Sequence, residues 1–336
     1  MRARALVVLV ALAAAGCGGG SSSPGTSAPE HVSLVLDWVP NPDHVGIYSA
    51  IDRGAFARRG LTVEPHPPSG VSDPITLVAA GRADVGVSYE PELFFAQEHH
   101  APVAAVATVV PTALASIIAS GSSGIHAPAD LRGKTIGVDG TQSTAAFVER
   151  VLASAGLGPD DVHLVDVKFN QVPALLGHKV DAVAGVFQNI EGVLFAMRGL
   201  NPVVFPYDRY GVPAYDELVV VANADRLHDD AGYRAMVRRF VAGLAAGTDW
   251  AKAHPSAAVA VMRRHSADDY RDVLQRSVPA TLRLLGTRLP PEAAWARFGD
   301  WMYRSGLLDA KPDAAALIAQ PWPSRLRAWS PSRASS

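Results

Sequence analysis

From His31 onward, the chain alternates short apolar blocks with stretches that repeat an apolar residue every three or four positions, and this alternation predicts its layers. Val32–Leu36 reads as a strand, and Gly46–Arg59 reads as a helix with Ile47, Ala50, Ile51 and Phe56 on one face. Leu61–Glu64 is a second strand, Ile75–Ala80 a helix and Asp84–Val87 a third strand. Val103–Val110 and Leu114–Ala119 are further apolar runs of strand length. A second series follows: strand Thr135–Val138, helix Thr141–Ala155, strand Val162–Val167, a short helix at Pro173–Leu176, strand Ala182–Val186 and helix Asn189–Arg198. After Asp230 the pattern is helical only, over Tyr233–Trp250, Ala257–Arg264 and Ala293–Tyr303. Strands alternating with helices predict parallel sheets covered on both faces. A folded part of roughly 300 residues exceeds one compact core, so two lobes are expected. The crossings are placed near Leu114–Ala119 and Leu218–Ala222. Residues 31–118 and 219–330 then form lobe 1, with a helical tail, and 119–218 form lobe 2.

The first residues follow a different logic. Arg2 and Arg4 precede an apolar run from Ala5 to Ala15, then small residues and Cys17. This is the layout of a secretory signal, and the run is shorter than the about 20 residues a bilayer span needs. Cys17 is the only cysteine, so no intramolecular disulfide or cysteine-metal cluster is available. Ala14-Ala15-Gly16-Cys17 resembles a bacterial lipobox, with Ala14 in place of the usual leucine. Residues 1–17 are therefore expected to be a lipoprotein signal, with Cys17 lipidated. Residues 18–30, nearly all Gly, Ser, Pro, Thr and Ala up to Pro29, have little apolar surface to bury and form a flexible tether. The expected location is extracytoplasmic, lipid-anchored to the bacterial cell membrane.

Composition narrows the function classes. Hydrophobic residues make up 49% and charged residues 18%, with a formal net charge of −2. No basic stripe is available for nucleic acid. The eleven histidines form no His-Glu-Xaa-Xaa-His pattern, and adjacent His99 and His100 point about 100° apart on a helix. No metal site and no cofactor are expected.

Ligands of open α/β sheets bind beyond the carboxyl ends of strands. Four such ends carry unusual polar and aromatic residues. Asp37–His44 holds two prolines, which make it a rigid loop presenting Trp38, Asn41 and His44. Equally, Asp43 caps the following helix, Trp38 fills a core gap, and the other two are plain loop polars. In Gly86–Glu92, Ser88, Tyr89 and Glu90 should face the cleft. Glu90 stands where a nucleophile elbow requires glycine, so Ser88 is not read as a nucleophile. In Gly137–Gln142, Gly140 and Thr141 open a helix whose N–H groups suit an anion or carbonyl, although Thr141 as a simple cap is the commoner role. Gly185–Glu191 presents Phe187, Asn189 and Glu191 within five residues. Glu191 could serve only the helix dipole, but the density of hydrogen-bonding groups favours a site.

Leu36–Gly46 resembles the opening signature of the NMT1/THI5-like solute-binding proteins. Asp52–Leu61, Ala80–Val87, Asp130–Gly137 and Gly177–Ala182 are similar to segments at corresponding places in that family, and the resemblance covers roughly His31 to Leu308. It implies a type II periplasmic-binding-protein fold: α/β, two lobes joined by a two-segment hinge, closing on a ligand. The Trp38-to-Gly46 opening and the Asn189-Ile190-Glu191 segment resemble the branch importing pyrimidine precursors of thiamine, with a riboflavin-binding branch also similar. The implied role is a monomeric substrate-binding lipoprotein serving an ABC permease and ATPase.

For such a ligand, Trp38 and Tyr89 would sandwich a flat ring, Asn41, Asn189 and His44 would complete its hydrogen bonds, and Glu191 rather than Glu90 would accept from its amine edge. Family members that synthesise the thiamine pyrimidine use a lysine, a histidine and a cysteine cluster. Here Ser88 and Glu92 stand near the first two positions, and Cys17 is the only thiol, so no enzyme is expected. An alkanesulfonate, nitrate or taurine ligand would call for a basic group that the four segments do not hold, apart from His44. A structural or adhesive surface lipoprotein would not need aromatic and acidic residues at four strand ends.

Overall fold

A computed structural model describes residues 28–70, 73–266, 270–289 and 291–319. Cys17, the expected leader and the expected tether up to Ser27 lie outside the described residues, as do residues 320–330 of the expected first lobe.

Two five-stranded sheets organise the chain. The first contains β1 (Glu30–Val35), β2 (Leu61–His66), β3 (Val85–Ser88), β4 (Val103–Val110) and β10 (Leu218–Asn223), in the order β2-β1-β3-β10-β4. The second contains β5 (Ala115–Ala119), β6 (Thr135–Val138), β7 (His163–Asp166), β8 (Ala182–Phe187) and β9 (Val203–Pro206), in the order β7-β6-β8-β5-β9. The sheets are mixed, not purely parallel. β10 runs antiparallel to β3 and β4, and β5 runs antiparallel to β8 and β9. The reason is topological. Each is the strand that enters a sheet from the other lobe, so it starts at the cleft, where its neighbours end.

That geometry moves both crossings. Residues 115–118, placed in lobe 1 from the sequence, form most of β5 in the second sheet, and Leu218–Ala222 lie within β10. The chain crosses instead at 111–114 and 207–217, which hold Pro111 and Pro213. A fully buried strand next to a hinge is as apolar as the hinge-side run itself, so hydropathy alone cannot separate them.

Helices cover the sheets and set the loops. The stretch expected as one helix over Gly46–Arg59 is α1 (Val45–Asp52) followed by a separate 3-10 turn at Ala57–Arg59. It breaks at Gly54, whose φ of +66° favours glycine. α1 lies directly against α8 (Ala231–Ala253), where a Cβ on Gly247 would sit 2.3 Å from the Gly46 carbonyl oxygen. This backbone contact fixes α1, and with it the loop that precedes it. β9 and α10 (Leu274–Leu282) add to the elements expected from the sequence, and Pro279 and polar residues interrupt the periodicity of the second. Among the described residues, no helix is long and apolar enough to cross a membrane.

Candidate functional site

The carboxyl ends of β1, β3, β6 and β8 converge between the lobes on two adjoining cavities, one larger than the other. Tyr89, Asp139, Gly185 and Phe187 line both. Trp38, Asp37, Gln171, Glu191 and Tyr270 face the larger, and Thr141, Tyr207, Tyr215 and Glu217 face the smaller. Among the described residues, no Lys, Arg or His lines either.

The loop after β1 is largely built from its own side chains. Asn41 Oδ1 accepts from the Asp43 N–H at 2.9 Å, its Nδ2 donates to the Val39 carbonyl, and its backbone N–H donates to His44 Nδ1 at 3.3 Å. That last bond places the imidazole proton on Nε2, which faces Asp37 Oδ1 at 2.7 Å. His44 is fully buried and lines neither cavity. It therefore holds Asp37 rather than a ligand, which corrects its expected role. Asn41 borders the larger cavity but is engaged as a turn cap. Asp37 is the group this loop presents: its Oδ2 accepts from the Tyr89 hydroxyl at 3.1 Å. Trp38 is half-buried, with its ring edge-on to Phe169 of the other lobe at a centroid distance of 4.3 Å.

Other expected contacts separate into two groups. Ser88 and Glu90 are buried but line neither cavity. Glu90 begins α3 (Glu90–Glu98) and accepts from the backbone N–H of Asp216, pointing toward the hinge, so it is not a carboxylate of this cleft. Gly140 also lines neither cavity, and its φ of +86° with Asp166 close by gives it a turn-forming role. Thr141 caps α4 (Gln142–Ala153) by accepting from the Thr144 N–H, and it donates to Asp139. Phe187 and Glu191 face the cleft. Glu191, at the start of α6 (Glu191–Met197), accepts from the Phe187 N–H at 3.0 Å and the Tyr270 hydroxyl at 3.3 Å.

Asn189 spans the gap instead of lining it. Its Nδ2 donates at 2.7 Å both to Asp43 Oδ1 and to Thr281 Oγ1, joining lobe 2 to lobe 1 and its helical tail. Asp43 Oδ2 and Asn189 Oδ1 have no partner among the described residues. A proton on Asp43 would turn its free oxygen into a donor, the complement of the free amide oxygen on the residue it already contacts. Burial pushes the Asp43 carboxyl up to about 8; its bond to Asn189 opposes the shift, and the nearby Asp37, Glu191 and Glu217 charges add to it.

Carboxylates dominate this site. Burial raises Glu191 and Glu217 to about 7 each, against hydrogen bonds that favour their charged forms. Asp139 is raised by the same cause, although it accepts from the Thr141 N–H and from both the Thr141 and Thr144 hydroxyls. Glu217 accepts from the N–H groups of Leu114 and Ala115 and from the Tyr215 hydroxyl, so it binds one hinge segment to the other. Gly185 has φ +76° and lies so close to Asp139 that a Cβ would stand 2.4 Å from its Oδ2. Only glycine fits there.

Asp37, Asp139, Gln171, Tyr270 and Glu217 line the cleft in addition to the residues expected from the sequence. The first two lay inside segments already singled out. Gln171 follows Phe169 and Asn170 at another strand end, the same kind of signal. Tyr270 arrives from the helical tail, about 80 residues from Glu191 in sequence, and had no local mark. Among the described residues, no cluster of His, Cys, Asp and Glu could hold a metal ion.

This architecture is shared with solved structures. The alkanesulfonate-binding protein SsuA from Xanthomonas axonopodis pv. citri superposes with a TM-score of 0.71 over 88% of this chain and 99% of that one, at 16% identity, a likeness of fold. In sequence, a Haemophilus influenzae protein named for thiamine biosynthesis is 35% identical over 231 residues, 69% of this chain and 72% of that protein. The formylaminopyrimidine-binding protein of Halalkalibacterium halodurans is 31% identical over 258 residues, 77% of each chain. A 4-amino-5-hydroxymethyl-2-methylpyrimidine phosphate synthase of Saccharomyces cerevisiae is more distant, at 26% over 158 residues, 47% of this chain and 46% of that enzyme. The family model described as NMT1/THI5 like matches residues 41–258, and the chain belongs to that family.

Proposed function

We propose that this protein is the ligand-capturing component of an ABC importer, exported and held at the membrane through a lipidated Cys17, and that its ligand is an aminopyrimidine precursor of thiamine. One observation carries the ligand class: the cleft is walled by aromatic rings and buried carboxylates, with no cation lining it among the described residues. Such a cavity favours a flat, donor-rich molecule over an anion. A sulfonate or nitrate would meet Asp37, Asp139 and Glu191 with no positive group among the described lining residues to offset them. The relatives named for thiamine biosynthesis and formylaminopyrimidine binding support the same reading.

Trp38, Tyr89 and Phe187 supply ring faces, each stacking contact adding about 0.5–1.5 kcal/mol beyond burial. Glu191 accepts from an amine or ring N–H, a charge-assisted bond contributing roughly 1.5–3 kcal/mol. Asp37 and Asp139, oriented by His44 and by Thr141 with Thr144, flank the ring. The described cleft offers no lysine for a Schiff base and no thiol, which favours capture over synthesis.

Thermal-shift measurement on the purified protein against formylaminopyrimidine, hydroxymethylpyrimidine, thiamine, riboflavin and an alkanesulfonate tests this reading. The largest stabilisation is expected from a pyrimidine precursor. A larger shift with the sulfonate would overturn it, and a larger shift with riboflavin would redirect it to the flavin branch.

A further inference from the structure

Gln171 opens α5 (Gln171–Leu176) and is 1% exposed, yet neither its Oε1 nor its Nε2 has a partner among the described residues. It lines the larger cavity. The carboxylates, the tyrosines and the other amide there are already engaged: Asp37 with His44 and Tyr89, Asn41 with its own turn, Asp139 with two threonines, and Glu191 with Phe187 and Tyr270. A buried amide with both ends unmet carries a desolvation penalty that a partner normally removes.

We propose that Gln171 is a specificity-determining residue that pairs with the amino–imine edge of the ligand, its carbonyl accepting from the exocyclic amine and its N–H donating to the adjacent ring nitrogen. The inference rests on the aminopyrimidine reading above and adds the edge that is recognised. A carboxylate offers only acceptors and so suits ligand N–H groups, whereas a bare ring nitrogen needs a donor, which a primary amide carries at any pH. A primary amide presents a donor and an acceptor side by side, the pairing with which glutamine reads the N6 amine and N7 acceptor of adenine. Position supports this role. Phe169, two residues earlier, packs on Trp38 across the gap, so the segment carrying Gln171 is held against the opposite wall when the lobes are together.

The test is calorimetric titration of wild type, Gln171→Leu and Gln171→Glu with two probes, 4-amino-2,5-dimethylpyrimidine and the same ring without its amine. Wild type should prefer the amine by at least about 30-fold. Gln171→Leu should weaken the amine probe by about 10- to 100-fold and the other by no more than about threefold, which collapses the preference. Gln171→Glu should also bind the amine probe poorly, because it cannot donate to the ring nitrogen. Ligand-free Gln171→Leu should melt no lower than wild type, since it buries no unpaired amide; this separates loss of recognition from loss of folding. A full wild-type preference in Gln171→Leu, or full amine affinity in Gln171→Glu, overturns the assignment to Gln171 alone. Wild type binding neither probe overturns the aminopyrimidine reading itself.

Discussion

The loop after β1 and the loop after β8 look alike as sequence, each an aromatic followed by one or two amides and an acid or histidine, but they have opposite uses. In the first, Asn41 and His44 bind their own loop, and the surface they support is a single carboxylate, Asp37. In the second, Phe187 and Glu191 face the cavity while Asn189 reaches across to Asp43 and Thr281. The difference teaches that polar density at a strand end marks a site without naming its contacts. What separates scaffold from contact is whether a side chain's hydrogen-bonding capacity is already filled locally.

The comparison can be broken most severely at the second loop. Glu191→Ala should weaken pyrimidine binding by about 10- to 100-fold in calorimetry, from the loss of a charge-assisted bond, while the secondary structure by circular dichroism stays unchanged. An equal loss in a variant of the first loop's scaffold would blur the distinction. His44→Ala is expected to cost less in affinity and more in stability, because it leaves one buried oxygen of Asp37 unpartnered.

Asn189→Ala tests the bridge between the loops. It should cut affinity by roughly tenfold or less, since it removes a closing contact and no ligand contact, and small-angle scattering should show a more open liganded ensemble. Unchanged scattering and affinity would remove the bridge from the account.

The smallest effect is on pH. Asp43, Glu191 and Glu217 have folded-state values raised above their ordinary ones, to about 8, 7 and 7. Groups raised in this way stabilise the folded, closed form fully below their unfolded values, and the contribution is lost as pH rises through the folded ones. Ligand-free melting temperature should therefore decline from about pH 5 toward pH 8, and the decline should be shallower in Asp43→Asn. A rise over that range would contradict the burial of these acids.

Much of the architecture was legible because helix and strand periodicities differ and because β4 and β6 are bounded by turn residues. The antiparallel entry of β5 and β10 was not, since strand direction depends on where the chain returns rather than on local composition. The site was half legible. Trp38, Tyr89, Phe187 and Glu191 stand on the cavity wall as strand-end residues should. Glu90 follows the same rule but turns to the Asp216 backbone, because a neighbouring hinge segment offers it an N–H. Tyr270 became visible only once the helical tail had folded back over Glu191.

The central claim is that the interlobe cavity takes a flat amine-bearing ring between aromatic walls, with Glu191 reading its edge. Calorimetric titration of formylaminopyrimidine into wild type and Trp38→Ala/Glu191→Ala at neutral pH addresses it most directly. The account predicts micromolar or tighter binding to wild type, near −8 kcal/mol or beyond, and no measurable heat with the double variant. Wild-type affinity retained by the folded double variant would contradict it.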